Sequence, residues 1–165
     1  MDEATLPLIK VVGVSGSGKS TLVQRLRHAG YNARPVSQEH SSIPDLWRQF
    51  DQPILLIYLE ASLEAQRQRR PDVTWDARYL QTEWERLSHA RDHANLKIDT
   101  SALPPETVWR IVEVFVKQQR IRHADHPLAP LKATGSAVLA TEPVAEAEVA
   151  APKEKRNKKR KRNGA

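Results

Sequence analysis

VVGVSGSGKSTLVQRL, residues 11–26, sets three glycines, three serines and a lysine between an apolar run and an amphipathic one. Val11, Val12 and Val14 continue the apolar residues before them, which predicts a strand over Leu6–Gly13 buried on both faces, as in a parallel sheet. Past the loop, Leu22, Val23 and Leu26 recur at helical spacing, and Gly30 stands where a helix would stop. Strand, glycine loop and helix in that order give the first unit of a parallel α/β fold.

The rest of the chain keeps the alternation. A second strand is expected at Ala33–Ser37, then the polar stretch QEHSSIP and a short helix near Pro44–Phe50. PILLIYL, residues 53–59, is wholly apolar after its proline and rich in branched side chains, so it is expected to be a central strand beside the first. Helices follow at Leu63–Arg70 and at Asp76–Ala94, separated by Pro71, with Ala77, Leu80, Trp84, Leu87 and Ala94 on one face of the second. A short strand at Asn95–Asp99 leads to a last helix after Pro104 and Pro105, striped by Val108, Ile111, Val112, Phe115 and Val116. The predicted fold is a three-layer α/β sandwich on a short parallel sheet of four to five strands.

Periodicity ends near Arg122. Residues 1–122 therefore read as one α/β domain built around the glycine loop, 123–152 as a disordered Ala/Pro/Glu-rich linker, and 153–165 as a basic disordered tail. The net charge of +6 sits in that tail: residues 153–162, KEKRNKKRKR, hold eight Lys/Arg against one Glu, which leaves residues 1–152 with 18 basic and 19 acidic side chains. Such a run attracts RNA or another polyanion through its phosphates, and without interleaved aromatics it cannot stack on bases. There are no cysteines, no leader-like N-terminus and no apolar run of bilayer length, so the expectation is a cytoplasmic protein with no membrane contact.

Gly13–Ser20 fits G-x-x-x-x-G-K-[ST] in full, with the strand before it and the helix after it that the pattern requires. Glycines let the backbone curl until successive N–H groups point inward, and the start of the following helix adds partial positive charge to the same hollow. Gly13, Ser15, Gly16, Ser17, Gly18, Lys19, Ser20 and Thr21 are thus the expected nucleotide-binding residues. Lys19 is expected to reach the outer phosphates of ATP, and the Ser20 hydroxyl to ligate Mg2+.

The chain lacks the Asn/Thr-Lys-x-Asp and Asp-x-x-Gly pairs of Ras-type GTPases, the LSGGQ-like signature of transporter ATPases, and the size of a hexameric ATPase. GVSGSGKST at 13–21, PILLIYLEAS at 53–62 and RLSHARDHANLKIDTSALPPETV at 86–108 resemble the small P-loop kinases of nucleosides, nucleotides and small metabolites, over roughly residues 8–118. The resemblance rests on Ile57–Glu60 and Ile98–Ser101 as well as on the loop. It implies a P-loop NTPase fold, transfer of the γ-phosphoryl group to a small acceptor, and a mobile lid bearing arginines. Arg67, Arg69, Arg70 and Arg78 flank Pro71–Trp75, with Arg67 and Arg70 as candidate catalytic residues, because guanidinium groups stabilise the charge spread over a transferring phosphoryl.

Kinases of this kind have a longer segment before the I-Y-L-D/E strand, including a strand that ends in an acidic Walker B group. Here only Tyr31–Gln52 is available. Its best-placed polar cluster is Gln38-Glu39-His40, since ligands of open α/β sheets bind beyond the carboxyl ends of the strands. Glu39 is the candidate base or holder of a Mg2+-bound water, His40 a candidate contact to acceptor or phosphate, and Glu60 the alternative metal partner. Asp45 is read as facing the first turn of its short helix, the four tryptophans as core or interface anchors, and His28, His89, His93, His123 and His126 as no metal set. A second class of function stands beside the kinase: a nucleotide-binding regulatory or RNA-associated ATPase-like module without kinase chemistry.

Overall fold

The computed structural model describes residues 2–132. Four strands, β1 (Leu8–Gly13), β2 (Asn32–Pro35), β3 (Leu55–Glu60) and β4 (Leu96–Asp99), form one sheet in the order β2-β1-β3-β4. Every pairing is parallel, with Leu8 opposite Asn32, Ile9 opposite Leu55 and Ile57 opposite Leu96. Helices α1 (Lys19–His28), α2 (Leu63–Arg69), α3 (Ala77–His93) and α4 (Pro105–Gln118) connect or follow the strands.

The period-two alternation of the strands divides the core into two layers. Ile9 and Val11 of β1 and Ile57 and Leu59 of β3 pack with Leu22, Val23 and Leu26 of α1 and Val108, Val112 and Val116 of α4. Val12, Val14, Leu56 and Tyr58 face the other way, onto Ala65 of α2 and Leu80, Leu87 and Ala90 of α3. Both faces of the sheet are thereby covered, which is why the central strands read as unbroken apolar runs. The architecture is α/β and consistent with a three-layer sandwich. No helix among the described residues is long and apolar enough to cross a membrane.

Three local expectations are corrected. The second strand is Asn32–Pro35 rather than 33–37, and the polar residues Gln38–His40 after it form a 3-10 turn. The helix expected near Pro44–Phe50 is a single 3-10 turn over Leu46–Arg48. Asp45 makes no capping bond there; its carboxylate accepts from Arg48 and Gln49 side chains, and these bonds hold it below the usual carboxylate range.

The boundary expected at 122 also moves, because the chain to Leu131 forms one compact unit. Ala124 and Leu128 are buried against Leu6. The Ala124 amide donates to Gly30 O at 2.9 Å and the Leu128 amide to Arg27 O at 2.8 Å. Gly30 is needed here twice: it adopts φ 90°, and a Cβ on it would lie 2.2 Å from Ala124 O. Arg27, only 2% exposed, ties the N-terminal turn to the segment after α4 by donating to both carboxylate oxygens of Glu3 and to Ala129 O. This segment has no helical or strand period, so periodicity could not reveal it. Residues 133–152 of the expected linker and the whole basic tail lie outside the described residues.

Candidate functional site

The glycine loop lies where the first strand ends, at the carboxyl edge of the sheet. Gly13 passes so close to β3 that a Cβ on it would sit 2.2 Å from Leu59 O and 2.9 Å from Ser17 Oγ. Gly16 and Gly18 adopt left-handed φ values of 69° and 98°, and Gly18 serves as the N-cap of α1 without offering a side chain. These conformations turn the loop back over the strand end.

Every carbonyl from Gly13 to Ser17 is engaged. Lys19 Nζ donates to Gly13 O at 2.8 Å and to Val14 O at 3.0 Å, and the Ser17 amide also donates to Val14 O. Gln66 Nε2 donates to Ser15 O at 2.8 Å, Arg69 Nη1 to Gly16 O at 2.9 Å, and Thr100 Oγ1 to Ser17 O at 2.9 Å. The amides behave differently. Among the described residues those of Gly16 and Gly18, and of Lys19, Ser20 and Thr21 in the first turn of α1, meet no acceptor. Ser20 and Thr21 are exposed. Tied carbonyls and untied amides, at the positive end of a helix dipole, leave a hollow of one sign.

Two different flanks border this loop. On the α4 side a cavity of about 540 Å3 runs from Gly16–Leu22 to Leu103, Pro105, Val108 and Trp109, with Arg25, Arg69, Arg70 and Thr100 around it. On the α3 side the neighbours are polar. The Ser15 amide donates to Glu83 Oε2 at 2.6 Å, and Lys19 Nζ pairs with Glu39 Oε1 at 3.1 Å. His40 Nε2 lies 3.6 Å from the same Glu39 oxygen, and its Nδ1 lies 3.4 Å from Tyr79 Oη. Arg86 donates to Glu39 O. Burial raises Glu83 above the usual carboxyl range, and the Glu39 charge adds to that rise while the Ser15 bonds and Lys19 oppose it. Burial likewise raises Tyr79.

The structure therefore brings together the whole loop, Lys19, Glu39 and His40. Of the four arginines expected in a lid only Arg69 hydrogen-bonds to the loop, through Gly16 O, and it also donates to the hydroxyl and carbonyl of Thr100. Arg67 is exposed and donates to Trp75 O, and Arg70, though it borders the cavity, is bidentate on Asp72. Arg78 is exposed. Trp75 is not a core anchor: its ring covers Gly16, where a Cβ would come within 3.2 Å of it. Glu60 is committed elsewhere, accepting from Tyr58 Oη at 2.6 Å, from Trp84 Nε1 at 2.8 Å and from the Ala61 amide.

Sequence reading missed Gln66, Tyr79 and Glu83. The signal for Glu83 was present: Leu80, Glu83, Leu87 and Ala90 share the buried stripe of α3, so an acid stands at a core position. No group of three or more His, Cys, Asp or Glu side chains suited to a metal ion occurs among the described residues. No family model matches the chain, and no curated protein matches it.

Proposed function

We propose that Gly13–Thr21 is a phosphate-binding loop for Mg·ATP and that the domain is a small P-loop kinase-like phosphotransferase acting on a small acceptor. The observation that carries this reading is the asymmetry of the loop: five carbonyls that accept hydrogen bonds, and a run of amides at the start of α1 with no acceptor among the described residues. An anion with several oxygens satisfies those amides at once and is favoured there by the positive end of the helix dipole.

Further features fit the group. Lys19 is parked on two loop carbonyls and Glu39, a position from which its flexible stem can swing to a phosphate. Ser17 Oγ is buried without a partner among the described residues. The cavity beyond the loop offers an apolar wall and the Trp109 indole for the nucleoside. Ser20, exposed in the first turn, would hold Mg2+, with Glu39 beyond it holding a water; bound there, the ion supplies charge neutralisation of the phosphates.

Transfer then requires little covalent chemistry from the protein. The acceptor oxygen forms its bond to the γ-phosphorus while the bond from that phosphorus to the ADP oxygen breaks. The electron pair leaves with ADP, and the hydroxyl proton passes to the Glu39 carboxylate. Glu39, just beyond β2, thus takes the place expected of the Walker B acid, with β2 directly beside β1. Arg69 stands for the expected lid arginines, since it links the loop to Thr100 across the cavity.

Calorimetric titration of Lys19→Ala with Mg·ATP tests the reading. The expected loss is about 100-fold in affinity, near 2.7 kcal/mol; wild-type affinity in the variant would overturn it. ATP binding with hydrolysis but no phosphorylated small molecule would favour the regulatory or RNA-associated module instead.

A further inference from the structure

The cavity on the α4 side includes none of Glu39, His40, Tyr79 or Glu83. These residues form their own continuous set on the opposite flank, from Lys19 to Glu39 to His40 to Tyr79, and from the Ser15 amide to Glu83. Tyr79 and His40 are partly exposed at its rim, while Glu39 is 3% and Glu83 0% exposed beneath them. Two oxygens in this set have no partner among the described residues: Glu39 Oε2 and Glu83 Oε1. Each is a buried acceptor on an acid, and leaving such an atom unpaired costs stability unless something donates to it.

Two unpaired acceptors call for two donors. We propose that this flank is the acceptor subsite, resting on the phosphotransferase reading above, and that its acceptor is a small amino alcohol. Its hydroxyl donates to Glu39 Oε2 and its ammonium group to Glu83 Oε1. Three considerations select this class. A carboxylate- or phosphate-bearing acceptor brings further acceptors to atoms that already lack donors. The Glu39 carboxylate and the arriving γ-phosphoryl make the flank negative once Lys19 has turned to the phosphates, and an ammonium beside Glu83 favours its ionised form against burial, so a cation is favoured over a neutral diol. The remaining cation on this flank, Arg86, is engaged through Nη1 with the Glu39 carbonyl.

The transfer balances with the groups present. The amino alcohol oxygen bonds to the γ-phosphorus and the bond from phosphorus to ADP breaks with its electron pair on ADP. The hydroxyl proton goes to Glu39, and the products are ADP and the phosphate monoester of the amino alcohol. Glu83 takes no part in bond making; it binds the charge and, through the Ser15 amide, fixes the acceptor against the loop.

Amide chemical shifts of the isotopically labelled full chain, saturated with Mg·AMP-PNP, supply the test. Ethanolamine, ethylene glycol and glycolate share a primary hydroxyl and differ in charge. A saturable shift of the Ser15 amide with ethanolamine, at least about tenfold tighter than with ethylene glycol and absent with glycolate, is the expected result. In Glu83→Gln the ethanolamine response weakens by about the same factor. The wild-type charge preference needs no variant and so stands if Glu83→Gln fails to fold. A saturable response to glycolate, or ethanolamine binding no tighter than ethylene glycol, overturns the inference while a Gly18 shift on adding Mg·AMP-PNP leaves the donor site intact. Absence of that Gly18 shift overturns both.

Discussion

The two flanks of the Gly13–Ser20 loop are built from opposite materials. Toward α4 the far wall is apolar, Leu103, Pro105, Val108 and Trp109, with Arg25, Arg69, Arg70 and Thr100 around the cavity mouth. Toward α2 and α3 it is Gln66, Tyr79, Glu83 and Glu39, polar groups buried or half-buried against the same few loop residues. An apolar wall is permissive in shape and carries little directional information, whereas a buried polar wall fixes positions because each misplaced group loses a hydrogen bond in a medium of low dielectric. The loop is thus held through Ser15 on the side assigned to the acceptor, and on the side assigned to the nucleoside Arg69 and Thr100 hold Gly16 O and Ser17 O while the wall beyond them is apolar and roomy.

Removing the partition itself gives the largest effect. Gly13→Ala drives a Cβ into Leu59 O and Ser17 Oγ, so the loop must leave β3 and both flanks lose their geometry. A loss of about 3 kcal/mol in unfolding free energy, read by urea denaturation, is expected. A variant of unchanged midpoint would show that the loop is not pinned to the sheet.

Substitutions on the two flanks should then separate. Gln66→Ala strips the Ser15 carbonyl of its side-chain donor in a fully buried setting, at about 2 kcal/mol of stability. Trp109→Ala, on the permissive side, should cost about tenfold in Mg·ATP affinity, near 1.4 kcal/mol, by removing the aromatic wall of the cavity. If Gln66→Ala instead weakened nucleotide binding while leaving the melting temperature alone, the assignment of the flanks would be reversed.

The smallest effect concerns Glu83 and its pH dependence. Burial raises its folded-state pKa above the ordinary carboxyl value, so the native state binds the proton more tightly than the unfolded chain. Its contribution is fully present below the unfolded pKa, near 4.5, and is lost as pH rises through the folded value. Glu83→Gln removes that dependence, so the variant should gain thermal stability relative to wild type as pH goes from 5 to 8. Parallel pH profiles of the two proteins would contradict a raised Glu83.

How much of this was legible follows from the same contrast. Apolar patterning placed β1, β3 and the long helices, because burial of apolar side chains repeats with the backbone geometry, whereas the cavity wall of Leu103, Pro105 and Trp109 was not read from it. The loop's course was legible because its left-handed turns at Gly16 and Gly18 and its close approach to β3 at Gly13 need glycines at those positions. Glu39 and His40 were legible from position alone, beyond a strand end. Gln66 and Glu83 were not singled out, since a polar residue on a helix is ordinarily solvent-facing and their burial comes from a partner about 50 to 70 residues away, Ser15. Ala124 and Leu128 were missed for a related reason: they are held by single bonds to Gly30 and Arg27 rather than by a repeating element.

Backbone hydrogen exchange across residues 13–21, with and without Mg·ATP, tests the central claim most directly. The account predicts that the amides of Gly16, Gly18, Lys19, Ser20 and Thr21, which meet no acceptor among the described residues, gain strong protection when the nucleotide binds. The Ser15 amide, already bonded to Glu83, should change far less. Unaltered exchange at Gly16 and Gly18–Thr21 under saturating Mg·ATP would contradict the assignment of this loop as a phosphate cradle.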